Sequence, residues 1–88
     1  MKREDLLDLA KDLTTQKRDE DYGHPGANFL RTARLWSAYT GFDISSEMVA
    51  AMMVLAKISR LRHDPTKADG WVDIAGYAAC GAEVCGAK

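Results

Sequence analysis

An excess of basic charge is missing from this sequence: twelve Lys and Arg stand against thirteen Asp and Glu, for a net charge of −1. Proteins that hold bulk nucleic acid through charge are usually strongly basic, so binding of that kind is excluded as an expectation. A small phosphorylated ligand needs only a few cations and stays open. Cysteine is scarce too. Cys80 and Cys85 lie five residues apart in an Ala/Gly-rich stretch, without the paired knuckles or added histidines of a zinc ribbon. They read as free thiols of a reducing compartment. The N-terminus, Met1-Lys2-Arg3-Glu4-Asp5, has no apolar segment behind it. The longest uncharged apolar run, Met48 to Ala56, is well short of the roughly 20 residues that span a bilayer. The expectation is a cytoplasmic protein with no membrane partner. Gly-rich phosphate loops, H-E-x-x-H and nucleophile elbows are also absent, which sets aside Walker-type, zincin and Ser-His-Asp chemistry.

What is present is helical periodicity along one domain of 88 residues. Leu6, Leu7, Ala10 and Leu13 mark a first helix over about Arg3–Lys17. Arg18 to Pro25 reads as a polar loop stopped by Gly23 and Pro25. A second helix over about Gly26–Thr40 carries Phe29, Leu30, Ala33, Trp36 and Tyr39 as its apolar stripe, and Gly41 suits the left-handed position after it. Ser45 or Ser46 caps a third helix that runs to about Arg62, with Glu47 in its first turn. Asp64 precedes Pro65, which ends that helix. A connector over Thr66–Ala68 leads to a fourth helix from about Ala68 to Cys85. The fold class is therefore all-α, four helices, with an antiparallel pair made by the last two.

Those last two helices carry long runs with little polar face: Met48–Ala56, and Ile74–Ala82. A helix apolar all round is normally buried all round, and a small domain buries only about 60–65% of its chain surface. A homo-oligomer with helices three and four at the subunit interface is the expectation. A monomer with an exposed patch is the competing reading.

The same two helices carry the main charged constellation. Lys57 and Arg60 are spaced i,i+3, and Asp69 and Asp73 are spaced i,i+4 with Tyr77 continuing their stripe. Folding back about Pro65 sets Arg60 near Trp71 and Lys57 near Ile74, so all four charges come within reach of one another. Such charges must pair or meet a ligand. Two readings stand: a salt-bridge lock for the hairpin, or a site in which cations take phosphate and carboxylates take metal, ribose or base. A second candidate patch comprises Asp21, Tyr22, His24 and Asn28 together with Arg31. Tyr22 and His24 are able to stack on a base, while the plain alternative is a turn, a helix cap and solvated charge.

Three segments carry a resemblance. Asp21-Tyr22-Gly23-His24-Pro25 leads to Asn28-Phe29; Leu35-Trp36-Ser37-Ala38-Tyr39 follows; Lys57-Ile58-Ser59-Arg60-Leu61 leads to Trp71-Val72-Asp73-Ile74-Ala75-Gly76-Tyr77. From about Asp19 to Val84 the chain resembles a family of small phage and prophage proteins of unassigned function. That family is distantly similar to the all-alpha, MazG-like nucleoside triphosphate pyrophosphohydrolases. The more distant resemblance implies a MazG-like helical domain and two acidic pairs that hold magnesium against substrate phosphates. Asp73 falls on the final aspartate of the second pair, Asp69 is one residue too far upstream, and Lys57 and Arg60 replace the first pair. Two cations with two carboxylates suit direct phosphate binding better than magnesium.

The resulting expectation is an oligomeric phage protein that binds a nucleotide or nucleotide-derived signal without turning it over and requires no cofactor. It would sequester a host immune signal or manage a nucleotide pool. The expected ligand-binding residues are Lys57, Arg60, Asp69, Asp73, Tyr77, Tyr22, His24, Asn28 and Arg31. Two alternatives are a pyrophosphohydrolase that uses magnesium through Asp73, and a helical module that binds a host protein.

Overall fold

Gly23, at φ +80, is where the first helical arm stops. In the computed structural model, which describes all 88 residues, α1 (Arg3–Asp12) passes through a π-helical segment (Leu13–Lys17) into α2 (Arg18–Tyr22). The backbone stays right-handed helical at both junctions, so the three make one arm. The stretch expected to be a loop from Arg18 is thus helical to Tyr22. Nothing before Gly23 breaks a helix, and Lys17 pairs with Asp21 one turn further on at 3.4 Å.

The π segment sets which residues of the arm face inward. Stepping four residues along an α-helix overshoots a full turn by about 40°. The widened turn takes up more residues and removes part of that drift. Leu6, Ala10, Thr14 and Arg18, each four apart, consequently share the covered side of the arm.

Three further helices follow: α3 (Pro25–Thr40), α4 (Ser46–Leu61) and α5 (Ala68–Val84). α3 and α4 are bounded by identifiable devices. The Gly26 N–H donates to His24 Nδ1 at 3.1 Å at the start of α3, where Pro25 occupies the first turn. Gly41, at φ +80, ends it in the left-handed conformation. Ser45 Oγ accepts from the Met48 N–H at the start of α4. Between those helices, the Ile44 N–H donates to Ser37 Oγ at 2.9 Å and the same hydroxyl donates back to the Ile44 carbonyl, which pins the connector to α3. After α4, Asp64 Oδ1 accepts from both the Thr66 N–H and the Thr66 hydroxyl. These bonds hold the Asp64 carboxyl below its usual pKa, the side-chain bond contributing most. Trp71 Nε1 donates to the Pro65 carbonyl across the same connector.

The α4–α5 pair is antiparallel and close. Leu61 lies over Gly70, Lys57 meets Asp73, and Ala50 meets Gly81, so facing positions sum to 130 or 131. This is the register expected from folding back about Pro65. A Cβ built on Gly81 would come within 2.9 Å of the Ala50 Cβ, so glycine is what lets these backbones approach.

The core is thin. Phe29, Ala33, Ile44, Val49, Ala50 and Cys80 form its buried cluster, with Trp36, Tyr77 and Val84 packed against it. Phe29 and Tyr77 stack with ring centroids 6.3 Å apart. No charged or polar side chain is buried. α5 is the central helix, in contact with α1, the π segment, α3 and α4. Its apolar character is largely met within one chain; that of α4 is not, because Met48, Met52, Leu55 and Ile58 stand exposed. No helix is long and apolar enough to cross a membrane.

Candidate functional site

The C-terminal end of α4, the connector and the N-terminal end of α5 enclose a groove of about 500 Å³. It is lined by Lys57, Arg60, Leu61, His63, Asp64, Lys67, Asp69, Gly70 and Asp73. All four residues of the charged constellation line it. Leu61 is the one hydrophobic side chain in it.

Within the groove the charges are not equivalent. Lys57 Nζ lies 2.9 Å from Asp73 Oδ2, and the Lys57 side chain is only 15% exposed. Arg60 and Asp69 are exposed and form no ion pair with each other. The lock reading therefore holds for one pair of the four residues. Asp64 is engaged by Thr66. Arg60 and Lys67 have no carboxylate within ion-pair distance. Lys67 is also the N-cap residue of α5 and supplies no side-chain cap, so the first N–H groups of α5 are uncapped at the groove wall. Unpartnered cations beside an uncapped helix N-terminus form a setting suited to phosphate.

Asp73 also lines a second, smaller hollow of about 180 Å³, further along α5. Thr14, Lys17, Arg18, Asp21, Tyr22 and Tyr77 contribute to it. The π segment therefore forms part of a cavity wall. Beside this hollow, Arg18, Tyr22, Asn28, Phe29 and Tyr77 line a third one of about 310 Å³. Tyr77 and Tyr22 thus face both hollows.

Arg18 organises this side of the molecule, and the sequence reading missed it. Its guanidinium donates to Asn28 Oδ1 at 3.1 Å and to the Gly23 carbonyl at 3.4 Å. It also lies 4.8 Å from the centre of the Phe29 ring and 5.9 Å from that of Tyr22. The signal available was the four-residue ladder Leu6, Ala10, Thr14, Arg18, which comes into line only if a wide turn is allowed.

The second candidate patch divides accordingly. Tyr22 and Asn28 converge through Arg18. His24 caps α3, and its Nε2 faces Glu83 Oε2 at 3.8 Å. Arg31 is exposed on the outer side of α3, lining a shallow surface depression with Arg34 and Leu35, remote from Tyr22, His24 and Asn28. Asn28 is half-buried against Arg18, whereas Arg31, three residues on, is exposed and shares no hollow with it.

The Asp73 carboxylate is held by an ammonium, and no group of three His, Cys, Asp or Glu side chains converges to hold a metal. Cys80 is buried in the core beneath the second hollow, and burial pushes its thiol pKa up against the opposing pull of Arg18.

The chain belongs to the family described as Domain of unknown function (DUF6378), whose model matches residues 5–85. It is similar to the Gene 55 protein of Mycobacterium phage D29, at 40% identity over 77 residues that cover 88% of this chain and 51% of that protein. It is similar also to the Gene 55 protein of Mycobacterium phage L5, at 42% identity over 74 residues covering 83% of this chain and 47% of that one. The chain spans about half the length of these curated relatives. No solved structure matches it significantly.

Proposed function

We propose that this domain binds a small phosphorylated ligand of the nucleotide class in the groove between α4 and α5, without turning it over. The observation that carries the reading is the pair of unpartnered cations, Arg60 and Lys67, beside the Lys57–Asp73 ion pair in a groove of about 500 Å³. That volume lies within the usual range for small-molecule sites. Arg60 and Lys67 take phosphate oxygens, helped by the first N–H groups of α5. Lys57 is positioned by Asp73 and adds charge at the groove floor. Asp69 accepts from ribose or base hydroxyls and amines. The neighbouring hollow, which shares Asp73 with the groove, offers Tyr77 and Tyr22 to a base. In a phage-infected cell such a protein would withdraw a nucleotide-derived signal or buffer a nucleotide pool. The mixture of cations and carboxylates, with Asp73 already paired, favours holding phosphate over metal-assisted hydrolysis.

Calorimetry against nucleoside mono- and triphosphates and cyclic nucleotides tests this. At least one should bind in the micromolar range, and the affinity should fall with added salt. Arg60→Ala and Lys67→Ala should each weaken binding by about tenfold, in line with a charge-assisted hydrogen bond of roughly 1.5 kcal/mol. An absence of binding by every member of the panel up to millimolar concentration overturns the proposal.

A further inference from the structure

We infer that the outer face of α4 pairs with α4 of a second copy of this chain, antiparallel, across a two-fold axis. Met48, Ala51, Leu55 and Ile58 follow one another at intervals of three, four and three residues, the spacing of a coiled-coil seam. All four are exposed; Leu55 is 63% and Ile58 is 50% accessible. The opposite face of the same helix supplies Val49, Ala50 and Leu61 to the chain's own interior, so the fold already uses one side of α4 and leaves the other free. α5 does not compete for this seam, because it packs against the inner side.

The occupant follows from the seam's self-complementarity in size and charge. With Ala51 set opposite Leu55 of the second copy, small faces large, and Met48 meets Ile58 in the flanking layers. The same two contacts recur on the other side of the axis, as an isologous interface requires. Glu47 stands at the N-terminal end of the seam and Arg62 directly after its C-terminal end. An antiparallel pair brings Glu47 of each copy within side-chain reach of Arg62 of the other and opposes the two helix dipoles. A parallel pair would stack Arg62 on Arg62 and align the dipoles. The contact is a single helix pair, so the interface is modest and its dissociation constant is expected on the order of ten micromolar.

Sedimentation velocity across about 5–500 µM protein tests this. The wild type should pass from monomer to dimer, and Leu55→Glu should raise the dissociation constant by about 100-fold or more by placing a charge in the seam. Circular dichroism of that variant should be unchanged, since Leu55 lies outside the buried cluster; Ile58→Lys provides a second disruption should Leu55→Glu lose helicity. Arg62→Glu should weaken the dimer, and Glu47→Arg combined with it should restore association. A wild-type protein that stays monomeric throughout assigns the seam to a different partner and overturns the inference. So does a dimer that survives both seam substitutions. Failure of the Glu47→Arg/Arg62→Glu double variant to recover overturns the antiparallel arrangement.

Discussion

Arg18 is the side chain on which the small hollows depend. It supplies two hydrogen bonds and lies against the Phe29 ring, so it joins the end of the first helical arm to α3. A lysine carries the same charge but has neither the fork of donors nor the flat face. Arg18→Lys is expected to cost about 1–2 kcal/mol in urea denaturation, with most of the fluorescence change near Tyr22 and little effect on the α4–α5 groove. At this scale the sequence was partly legible. Lys57 and Asp73 could be brought together because a short connector and helical spacing fix which residues face each other. Arg18 could not, because its inward direction depends on a widened turn that no residue type announces. Arg31 was drawn into the patch by its spacing from Asn28, and the helix carries it to the outer surface instead.

At the scale of elements, boundaries set by local chemistry were legible and those set by its absence were not. Pro25, Gly41 and Pro65 act through a backbone angle or a missing donor and Ser45 through its hydroxyl, and α3 and α4 begin and end beside them. The acidic run Asp19-Glu20-Asp21 looks like a solvated loop by composition, yet nothing in it opposes a helix. The α4–α5 contact adds something composition could not give, which is how near the backbones come. Gly81→Ala gains about 1 kcal/mol in helix propensity but drives its Cβ to 2.9 Å from that of Ala50. Separating the helices to relieve this costs about 1–3 kcal/mol, so a net loss of about 1 kcal/mol is expected in thermal or urea unfolding. The swapped pair Ala50→Gly/Gly81→Ala restores the spacing and should recover more than the sum of the single effects predicts, as a double-mutant cycle would read.

For the whole molecule, the sparse core and the exposed α4 seam belong to one account. Only eleven of the 88 residues are buried, so one chain stands on a narrow margin. Pairing through α4 would couple that margin to the amount of protein present. The midpoint of thermal unfolding is therefore expected to rise as concentration increases through the dimerisation range, and to be independent of concentration in Leu55→Glu; calorimetric scans at several concentrations check this. The apolar run of α4 did indicate an uncovered helix. That of α5 is covered further by its neighbours in the same chain, which leave Ala78, Ala79 and Ala82 exposed, and no property of a run by itself separates those two cases.

The π segment also bears on how this domain can vary by inheritance. Leu13–Lys17 accommodates a residue that an uninterrupted α-helix would not, and it does so without breaking the arm. Loss of one codon there would return the arm to an uninterrupted α-helix, keep Gly23 as its stop, and leave Arg18 and Tyr22 facing nearly as before, because the step of about 100° that is lost is the one the wide turn had absorbed. The same loss within α1 or α2 has no such relief and turns the residues on its two sides by about 100° relative to each other. This short stretch is therefore where a change in length of the arm disturbs the Arg18 side of the domain least.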